Sequence, residues 1–280
     1  MVLTMGDRPA ELARALESVR AQHGEPVETV VVGNGVEVGG LPDWVRSVSL
    51  LENVGIPEGR NVGVEATDGD VVLFLDDDGW YPDAGLAEHL RAAFAQDARL
   101  GIVSMRIVDP ETGESQRRHV PRLRAADSES SSLVTTFLGG ASAVRRDVIR
   151  ESGGLPGMFF FGHEETDLAW RALENGWDIR YDAEATMCHP ATSPARHDSY
   201  YFNNARNRVW LARRNLPTVL VPVYLAVWIA LTIIRVRRRH SLMVWARGFV
   251  AGWRTGAGER RPMSWRTVWR MTRLGRPPVI

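Results

Sequence analysis

The sequence contains no lysine: all 34 basic residues are arginine, which excludes mechanisms that need a lysine side chain. It has a single cysteine, Cys188, and this excludes both a disulfide framework and a zinc cluster built on cysteines. No signal peptide is evident, because the chain enters the strand-like residues 2–4 without a basic start or a cleavage site. These absences favour a cytoplasmic protein in a reducing compartment.

Acidic residues are nearly absent from the last part of the chain. Residues 200–280 contain sixteen arginines and one acidic residue, Glu259. The first 199 residues contain eighteen arginines and thirty-three acidic residues, so the formal net charge of zero hides an uneven distribution. A strongly basic tail suggests a segment that faces an anionic partner.

Short apolar runs alternate with helical patterns along the first two thirds of the chain. Residues 7–9 are a helix start signal, residues 27–32 predict a strand, and the apolar run at 70–75 is typical of a central strand covered on both faces. Residues 133–144 look like one further strand, and residues 164–175 predict a helix. This alternation indicates an α/β fold with a largely parallel sheet.

Three consecutive carboxylates, Asp76, Asp77 and Asp78, follow the run at 70–75. Ligands of open α/β sheets bind beyond the carboxyl ends of the strands, and like charges there repel one another unless a cation or hydrogen bonds offset them. Oxygen ligands suit Mg²⁺ or Mn²⁺, which typically also hold substrate phosphates. In an extended chain Asp76 and Asp78 point to the same side, which favours this pair. The alternative is a solvated acidic turn before Gly79.

Further motifs surround this acidic triad in a fixed order. They are Asn53-Val-Gly55 with Gly59-Arg60-Asn61-Val-Gly63, Leu138-Gly-Gly-Ala-Ser142 with Val144-Arg-Arg146, Gly162-His-Glu-Glu-Thr-Asp-Leu-Ala-Trp-Arg171, and Ala185-Thr-Met-Cys-His189. Together with the triad they closely resemble the family 2 glycosyltransferases with a GT-A fold. Each motif is weak alone, but their order and spacing over about residues 1–197 are specific.

The resemblance implies a GT-A-type, Rossmann-like and mostly parallel sheet flanked by helices at 1–197. Beyond it, the change in composition predicts a helical extension at 198–280. It implies inverting transfer of a sugar from a nucleoside-diphosphate sugar to an acceptor hydroxyl, with Mn²⁺ or Mg²⁺ as cofactor. The donor-binding residues that it implies are Thr4, Asn34, Arg60, Asn61, Asp76 and Asp77. The metal-binding residues that it implies are Asp76, Asp78 and His189.

Two of these assignments have open alternatives. The family commonly has an aspartate after its second strand, where this chain has Gly33 followed by Asn34. Asn34 therefore either contacts the nucleotide or is only a turn residue. His189 either completes the metal shell or is a structural histidine.

Three acids, Glu164, Glu165 and Asp167, lie at the start of the predicted helix. In the family, the corresponding position supplies the base that deprotonates the acceptor hydroxyl. The alignment makes Glu165 the first choice and Asp167 the second, with Glu164 beside them. A general base must reach the hydroxyl directly or through one water. The alternative is that these acids only cap the helix and complement its macrodipole.

The tail contains nineteen uncharged residues at 216–234, flanked by arginines, and six of the ten tryptophans. Pro217 and Pro222 argue against a clean spanning helix, so we expect the tail to lie on an anionic membrane surface. A spanning helix and a soluble extension packed on the catalytic domain are the alternatives. Membrane contact would suit a lipid-linked or cell-surface glycan acceptor at the inner face of the plasma membrane, with no nucleic-acid partner.

Two rival functions share some of these features. Residues 74–79 also fit the hydrophobic-Asp-X-Asp-Gly pattern of haloacid-dehalogenase-type phosphatases, but that family usually needs a later lysine. A catalytically degenerate GT-A-fold protein acting as a membrane scaffold is the non-enzymatic alternative.

Overall fold

The computed structural model describes residues 1–123, 127–190 and 197–280. The strands of these segments are β1 (Val2–Thr4), β2 (Thr29–Gly33), β3 (Val45–Ser49), β4 (Val71–Asp76), β5 (Leu100–Val108), β6 (Ser132–Leu133), β7 (Ala141–Arg145) and β8 (Asp178–Cys188). The α-helices are α1 (Pro9–Arg20), α2 (Ile56–Glu65), α3 (Leu86–Gln96), α4 (Arg146–Ser152), α5 (Glu164–Glu174), α6 (Asp198–Asn215), α7 (Leu220–Arg235), α8 (Arg239–Arg254) and α9 (Trp265–Arg273).

The strands form one sheet in the order β3-β2-β1-β4-β7-β5-β8-β6. The first four in this order run parallel, as do β5 and β8. β7 runs antiparallel between β4 and β5, and β6 is an antiparallel edge strand beside β8. The predicted α/β architecture with a mostly parallel sheet is confirmed.

The prediction of one strand at 133–144 was wrong. β6 ends at Leu133 and pairs with β8, whereas β7 begins at Ala141 and pairs with β4 and β5. Gly139 and Gly140 interrupt the apolar pattern just before β7. The two strands therefore lie at different places in the sheet, and the residues between them border the site described below.

The central strand β4 is covered on both faces, as its apolar run predicted. Val72 and Phe74 belong to a core cluster on one face, and Leu75 belongs to a second cluster on the other. Alternate side chains of a strand point to opposite faces of the sheet, so both layers of helices pack on β4. The strand thereby carries the triad from a rigid interior to the sheet edge.

The C-terminal helices extend the core instead of forming a separate one. Val209 and Leu211 of α6, both fully buried, belong to the same cluster as Phe74 and Leu168. α6 begins at Asp198, next to the boundary predicted from the change in composition. Within the described segments, no helix combines the length and the apolar character needed to cross a membrane.

Candidate active site

A cavity of about 550 Å³ opens at the carboxyl ends of β1, β2 and β4. Parallel strands bring their last residues to one edge, which is why positions far apart in sequence meet there. The candidate residues that line the cavity are Thr4, Asn34, Arg60, Asp76, Asp77, Asp78 and His189. A larger groove of about 660 Å³ on the outer side of α1 contains no candidate residue.

Asp77 is held at the base of the cavity by the first strand. Thr4 Oγ1 donates a hydrogen bond of 2.6 Å to Asp77 Oδ2, and Arg8 Nη1 lies 3.5 Å from Oδ1. Burial raises the pKa of Asp77, and the Thr4 and Arg8 contacts oppose that rise. The sequence did not single out Arg8, although it stands in the turn directly after β1, at the same sheet edge as the triad.

Asp78 and His189 form a close pair in the lining of the same cavity. His189 Nε2 lies 3.0 Å from Asp78 Oδ1, and Arg8 contacts the second carboxylate oxygen. Burial acts to raise the pKa of Asp78, but the hydrogen bond and charge of His189, with Arg8, lower it overall. Burial acts to lower the pKa of His189, and Asp78 raises it overall. Because both side chains are only partly buried, they present an ion pair to the cavity.

Arg60 connects the triad to the start of α5. Its side chain is only 5% exposed, with Nη2 3.1 Å from Asp76 Oδ1 and Nη1 3.3 Å from Glu165 Oε1. A Cβ on Gly140 would collide with the Asp76 carboxylate, and one on Gly139 would collide with Glu165 and Arg60. The two glycines thus allow the backbone before β7 to lie against the ion pairs that Arg60 forms with Asp76 and Glu165.

The two glutamates at the start of α5 have different environments. The Glu165 side chain is 22% exposed and pairs with Arg60. Glu164 is 2% exposed, and its Oε2 has no hydrogen-bond partner among the described residues. Burial, followed by the charge of Glu165, raises the pKa of Glu164 to about 8. Glu165 is therefore the better placed of the two to accept a proton from a bound molecule.

The turn that leads into α5 has an unusual backbone. Phe160 and His163 both have positive φ, 62° and 72°, which costs free energy in residues with a Cβ. Asn207 Nδ2 lies 2.9, 2.9 and 2.8 Å from the carbonyl oxygens of Phe159, Phe161 and Gly162. This buried amide in α6 holds the turn, and the sequence patterns did not reveal it because the contact spans more than forty residues.

Asn34 lines the cavity, but its side chain is engaged with the neighbouring loop. Its Nδ2 donates to Asn53 Oδ1 at 3.0 Å and to the Gly55 carbonyl at 3.3 Å, while its Oδ1 accepts from the Val54 amide at 2.9 Å. Asn34 is 4% exposed. These contacts describe a residue that shapes the loop before α2, in line with the turn alternative.

Two predicted site residues lie elsewhere. Asn61 binds the backbone of Leu155, with Nδ2 2.9 Å from its carbonyl oxygen and Oδ1 2.9 Å from its amide nitrogen, so it anchors the segment after α4. Asp167 is fully buried and accepts hydrogen bonds from Arg214 Nε at 2.9 Å and Asn215 Nδ2 at 2.6 Å. It also contacts Arg171. Helix geometry turns Asp167 away from Glu165 and towards α6, so it is not available to an acceptor.

A family model described as glycosyl transferase family 2 matches residues 2–153, just over half of the chain. The chain belongs to glycosyl transferase family 2. A Haemophilus influenzae protein described as uncharacterized is 27% identical over 169 residues. The match covers 56% of this chain and 91% of the length of that protein. The Mycobacterium tuberculosis pre-mycofactocin glycosyltransferase is 30% identical over 163 residues, covering 55% of this chain. The match spans only 32% of that longer relative.

Solved structures of other glycosyltransferases share the fold. GalNAc-T7 with UDP, GalNAc and Mn²⁺ has a TM-score of 0.63 at 12% identity, covering 80% of this chain and 48% of that one. The mannosyltransferase PcManGT from Pyrobaculum calidifontis with GDP-Man and Mn²⁺ has a TM-score of 0.58 at 17% identity, covering 97% and 77%. Staphylococcus aureus TarS 1-349 has a TM-score of 0.62 at 15% identity, covering 90% and 79%. The predicted GT-A fold is confirmed, and the protein is a glycosyltransferase of family 2.

The predicted metal residues of this glycosyltransferase divide into two sets. Asp78 and His189 contact each other, whereas Asp76 pairs with Arg60. Within the described segments, no group of three or more acidic, histidine or cysteine side chains converges on one point. The Asp78 carboxylate fits Mn²⁺ or Mg²⁺, since such ions take oxygen ligands and complete their shell with substrate phosphates and water. Within the described segments, these side chains alone therefore do not form a metal site.

Proposed function

We propose that this glycosyltransferase moves a hexose-type sugar from a nucleoside-diphosphate sugar to an acceptor hydroxyl, with inversion at the anomeric carbon. The observation that carries the proposal is the placement of Asp78–His189 and the Arg60–Glu165 pair at one sheet edge. One pair suits a diphosphate with its cation, and the other offers a carboxylate for an incoming hydroxyl. A single displacement needs one side of the site to stabilise the anionic leaving group and the other side to accept the proton of the incoming hydroxyl.

The donor would lie in the cavity along Thr4, Arg8 and the triad. Asp78 and His189 would hold a divalent cation, which neutralises charge on the departing nucleoside diphosphate when it is bound. Arg8 and Arg60 point cationic groups at the same edge, and guanidinium groups suit phosphate oxygens. Asp77, fixed by Thr4, would contact the ribose or the sugar.

Glu165 would act as the general base. The acceptor oxygen forms a bond to the anomeric carbon, the bond from that carbon to the diphosphate breaks, and the hydroxyl proton passes to the Glu165 carboxylate. Arg60 orients Glu165 through the 3.3 Å contact. Positioning and electrostatics would supply most of the rate acceleration.

We further propose that the C-terminal extension lies on an anionic membrane at the inner face of the plasma membrane, where a lipid-linked or cell-surface glycan precursor is the acceptor. Several apolar side chains of the extension are exposed, among them Ile233 (63%), Ile234 (63%) and Trp269 (61%). Arginines at 235 and 237–239 flank the first two. Arginine and tryptophan beside apolar side chains fit the headgroup region of a bilayer.

Donor turnover by the purified protein tests the catalytic proposal. Release of nucleoside diphosphate from a panel of nucleotide-sugars is measured with Mn²⁺, with Mg²⁺ and with EDTA. Asp78→Asn is expected to reduce cation-dependent turnover about 100-fold or more, and exposed Asp70→Asn is the matched control. Full activity of Asp78→Asn, or equal activity in EDTA, would overturn the metal assignment. No turnover of any donor by the folded protein would favour the scaffold alternative.

Vesicle flotation tests the membrane proposal separately. The full chain is expected to float with anionic vesicles and to remain unbound with neutral ones at the same ionic strength. Equal recovery with both vesicle types, or with neither, would contradict it.

A further inference from the structure

A second, smaller cavity lies where the first turn of α5 meets the C-terminal extension. Its volume is about 70 Å³, and its walls come from residues 135–136, His163, α5, α6, α7, α9 and residues 276–280. It shares no lining residue with the donor cavity. A volume near 70 Å³ is about that of two water molecules, which is enough for one tetrahedral oxyanion.

Two arginines form the charged wall of this cavity. Arg208 donates through Nε to Asn204 Oδ1 at 3.0 Å and through Nη1 to Tyr224 Oη at 3.2 Å, and its guanidinium stacks 3.3 Å from the Trp228 ring centroid. Arg276 Nε lies 3.5 Å from the Ile280 carbonyl oxygen. In the part of the chain that the structure describes, neither guanidinium forms a salt bridge with an Asp or Glu side chain. Two neighbouring cations without an acidic side chain beside them are costly to bury.

Polar atoms of the cavity residues also lack partners. Thr135 is 1% exposed, and its Oγ1 has no hydrogen-bond partner among the described residues. His163 Nε2 and Trp228 Nε1 also have no hydrogen-bond partner among the described residues. Buried polar groups are nearly always hydrogen-bonded, so several together at one small cavity indicate a missing acceptor. Hydroxyl, imidazole and indole groups can each donate to an anion.

The electrostatic surroundings are consistent with an anion. Burial lowers the pKa of Arg208 and Arg276, and burial followed by the charge of Arg208 lowers the pKa of His163 well below its usual value. Of the carboxylates in the first turn of α5, Glu165 is paired with Arg60, and Asp167 is paired with Arg171 and Arg214. Burial favours the neutral form of the third, Glu164.

We propose that this cavity is a binding site for a phosphate-class oxyanion, held by Arg208, Arg276 and the Thr135 hydroxyl. The bound anion would supply negative charge to the two arginines and would connect α5 with α6 and the segment after α9. It would thereby stabilise the packing of the C-terminal extension on the first turn of α5, which carries Glu165. The site is separate from the proposed sugar transfer and does not depend on it.

Phosphate-dependent stabilisation of the full chain tests the proposal. Melting temperature and calorimetric binding are measured with inorganic phosphate in EDTA, with ionic strength held constant by sodium chloride. The wild type is expected to gain stability with phosphate, because a ligand that binds only the folded state raises its stability. Arg276→Gln is expected to weaken binding about 10-fold or more, since it removes a charge-assisted contact worth roughly 1.5 kcal/mol.

Arg273→Gln is the matched control, because it removes the same charge from an exposed position in α9. Equal losses in Arg276→Gln and Arg273→Gln would overturn the proposal, because they would reflect net charge alone. If Arg276→Gln does not fold, Thr135→Val is decisive. That variant removes an unpartnered hydroxyl, so it is expected to fold at least as well as the wild type while losing phosphate affinity.

A short alkyl phosphate distinguishes the possible sources of the phosphate group. Binding of both inorganic and alkyl phosphate supports a site for the phosphoryl end of a larger molecule. Binding of inorganic phosphate alone supports a site for the free ion. Binding of neither, or a phosphate effect that Thr135→Val leaves unchanged, would overturn the proposal.

Discussion

Arg60 lies 3.3 Å from Glu165, although the two residues are 105 positions apart in the chain. The same guanidinium reaches Asp76 at 3.1 Å, so one arginine joins the end of β4 to the first turn of α5. This relationship sets the orientation of the proposed base relative to the proposed donor site. It also separates Glu165 from Glu164, its buried neighbour in the same turn.

Glu165→Gln is expected to reduce kcat about 100- to 10,000-fold, because an amide cannot accept the acceptor proton. Binding of nucleoside diphosphate should stay within a few-fold, since the Asp78–His189 pair is unchanged. Steady-state kinetics and calorimetry on the same preparation measure the two effects. Glu184→Gln, a change at an exposed position, is the control. Unchanged kcat in Glu165→Gln would contradict the base assignment.

Glu164→Gln is expected to stabilise the protein increasingly as pH rises. The unfolded side chain loses its proton near 4.5, whereas the folded one keeps it to about 8. The folded state therefore binds more protons across this window, and wild-type stability falls as pH increases through it. Glutamine lacks this titration, so its advantage should grow from pH 5 to pH 8 and exceed about 1 kcal/mol. Urea unfolding at several pH values measures it, and parallel curves would contradict the prediction.

Asp167→Asn is expected to impair stability more than catalysis. The carboxylate is fully buried between Arg171 and Arg214, and its loss leaves two arginines without a counter-charge. A loss of about 3–5 kcal/mol is typical of such a change. At a temperature where the variant is folded, kcat should stay within a few-fold of wild type. A kcat loss as large as that of Glu165→Gln, without destabilisation, would instead return Asp167 to the role of base.

Asn207→Ala is expected to loosen the turn before α5 while leaving the sheet intact. The variant leaves the carbonyls of Phe161 and Gly162 without their buried donor, a cost of roughly 1–3 kcal/mol or more, whereas the Phe159 carbonyl keeps its contact with Arg206. Hydrogen exchange should accelerate in residues 159–166, and kcat should fall because Glu165 is less well positioned. Exposed Asn175→Ala is the control. Unchanged exchange in this segment would contradict the role of Asn207.

Local patterns were sufficient for the elements whose sequence and environment agree. α1 follows from Pro9 at its start and from the buried positions Leu12, Leu16 and Val19 at helical spacing. α5 follows from the apolar positions 168, 172 and 173, all buried. The prediction of one strand at residues 133–144 failed because an apolar pattern alone does not show which neighbour a strand pairs with. In addition, the two glycines in this segment allow a contact with residues far away in the sequence.

The sequence by itself determined the α/β class, the place of the triad after a doubly covered strand and the resemblance to the family now shown. These follow from the alternation of elements and from motif order, which are properties of neighbours along the chain. Only the tertiary structure decided that Asp167 faces α6, that Asn61 anchors a loop and that Asp76 turns to Arg60. Each of those outcomes depends on a partner 16 to 94 residues away in the chain, which local propensity and periodicity do not encode.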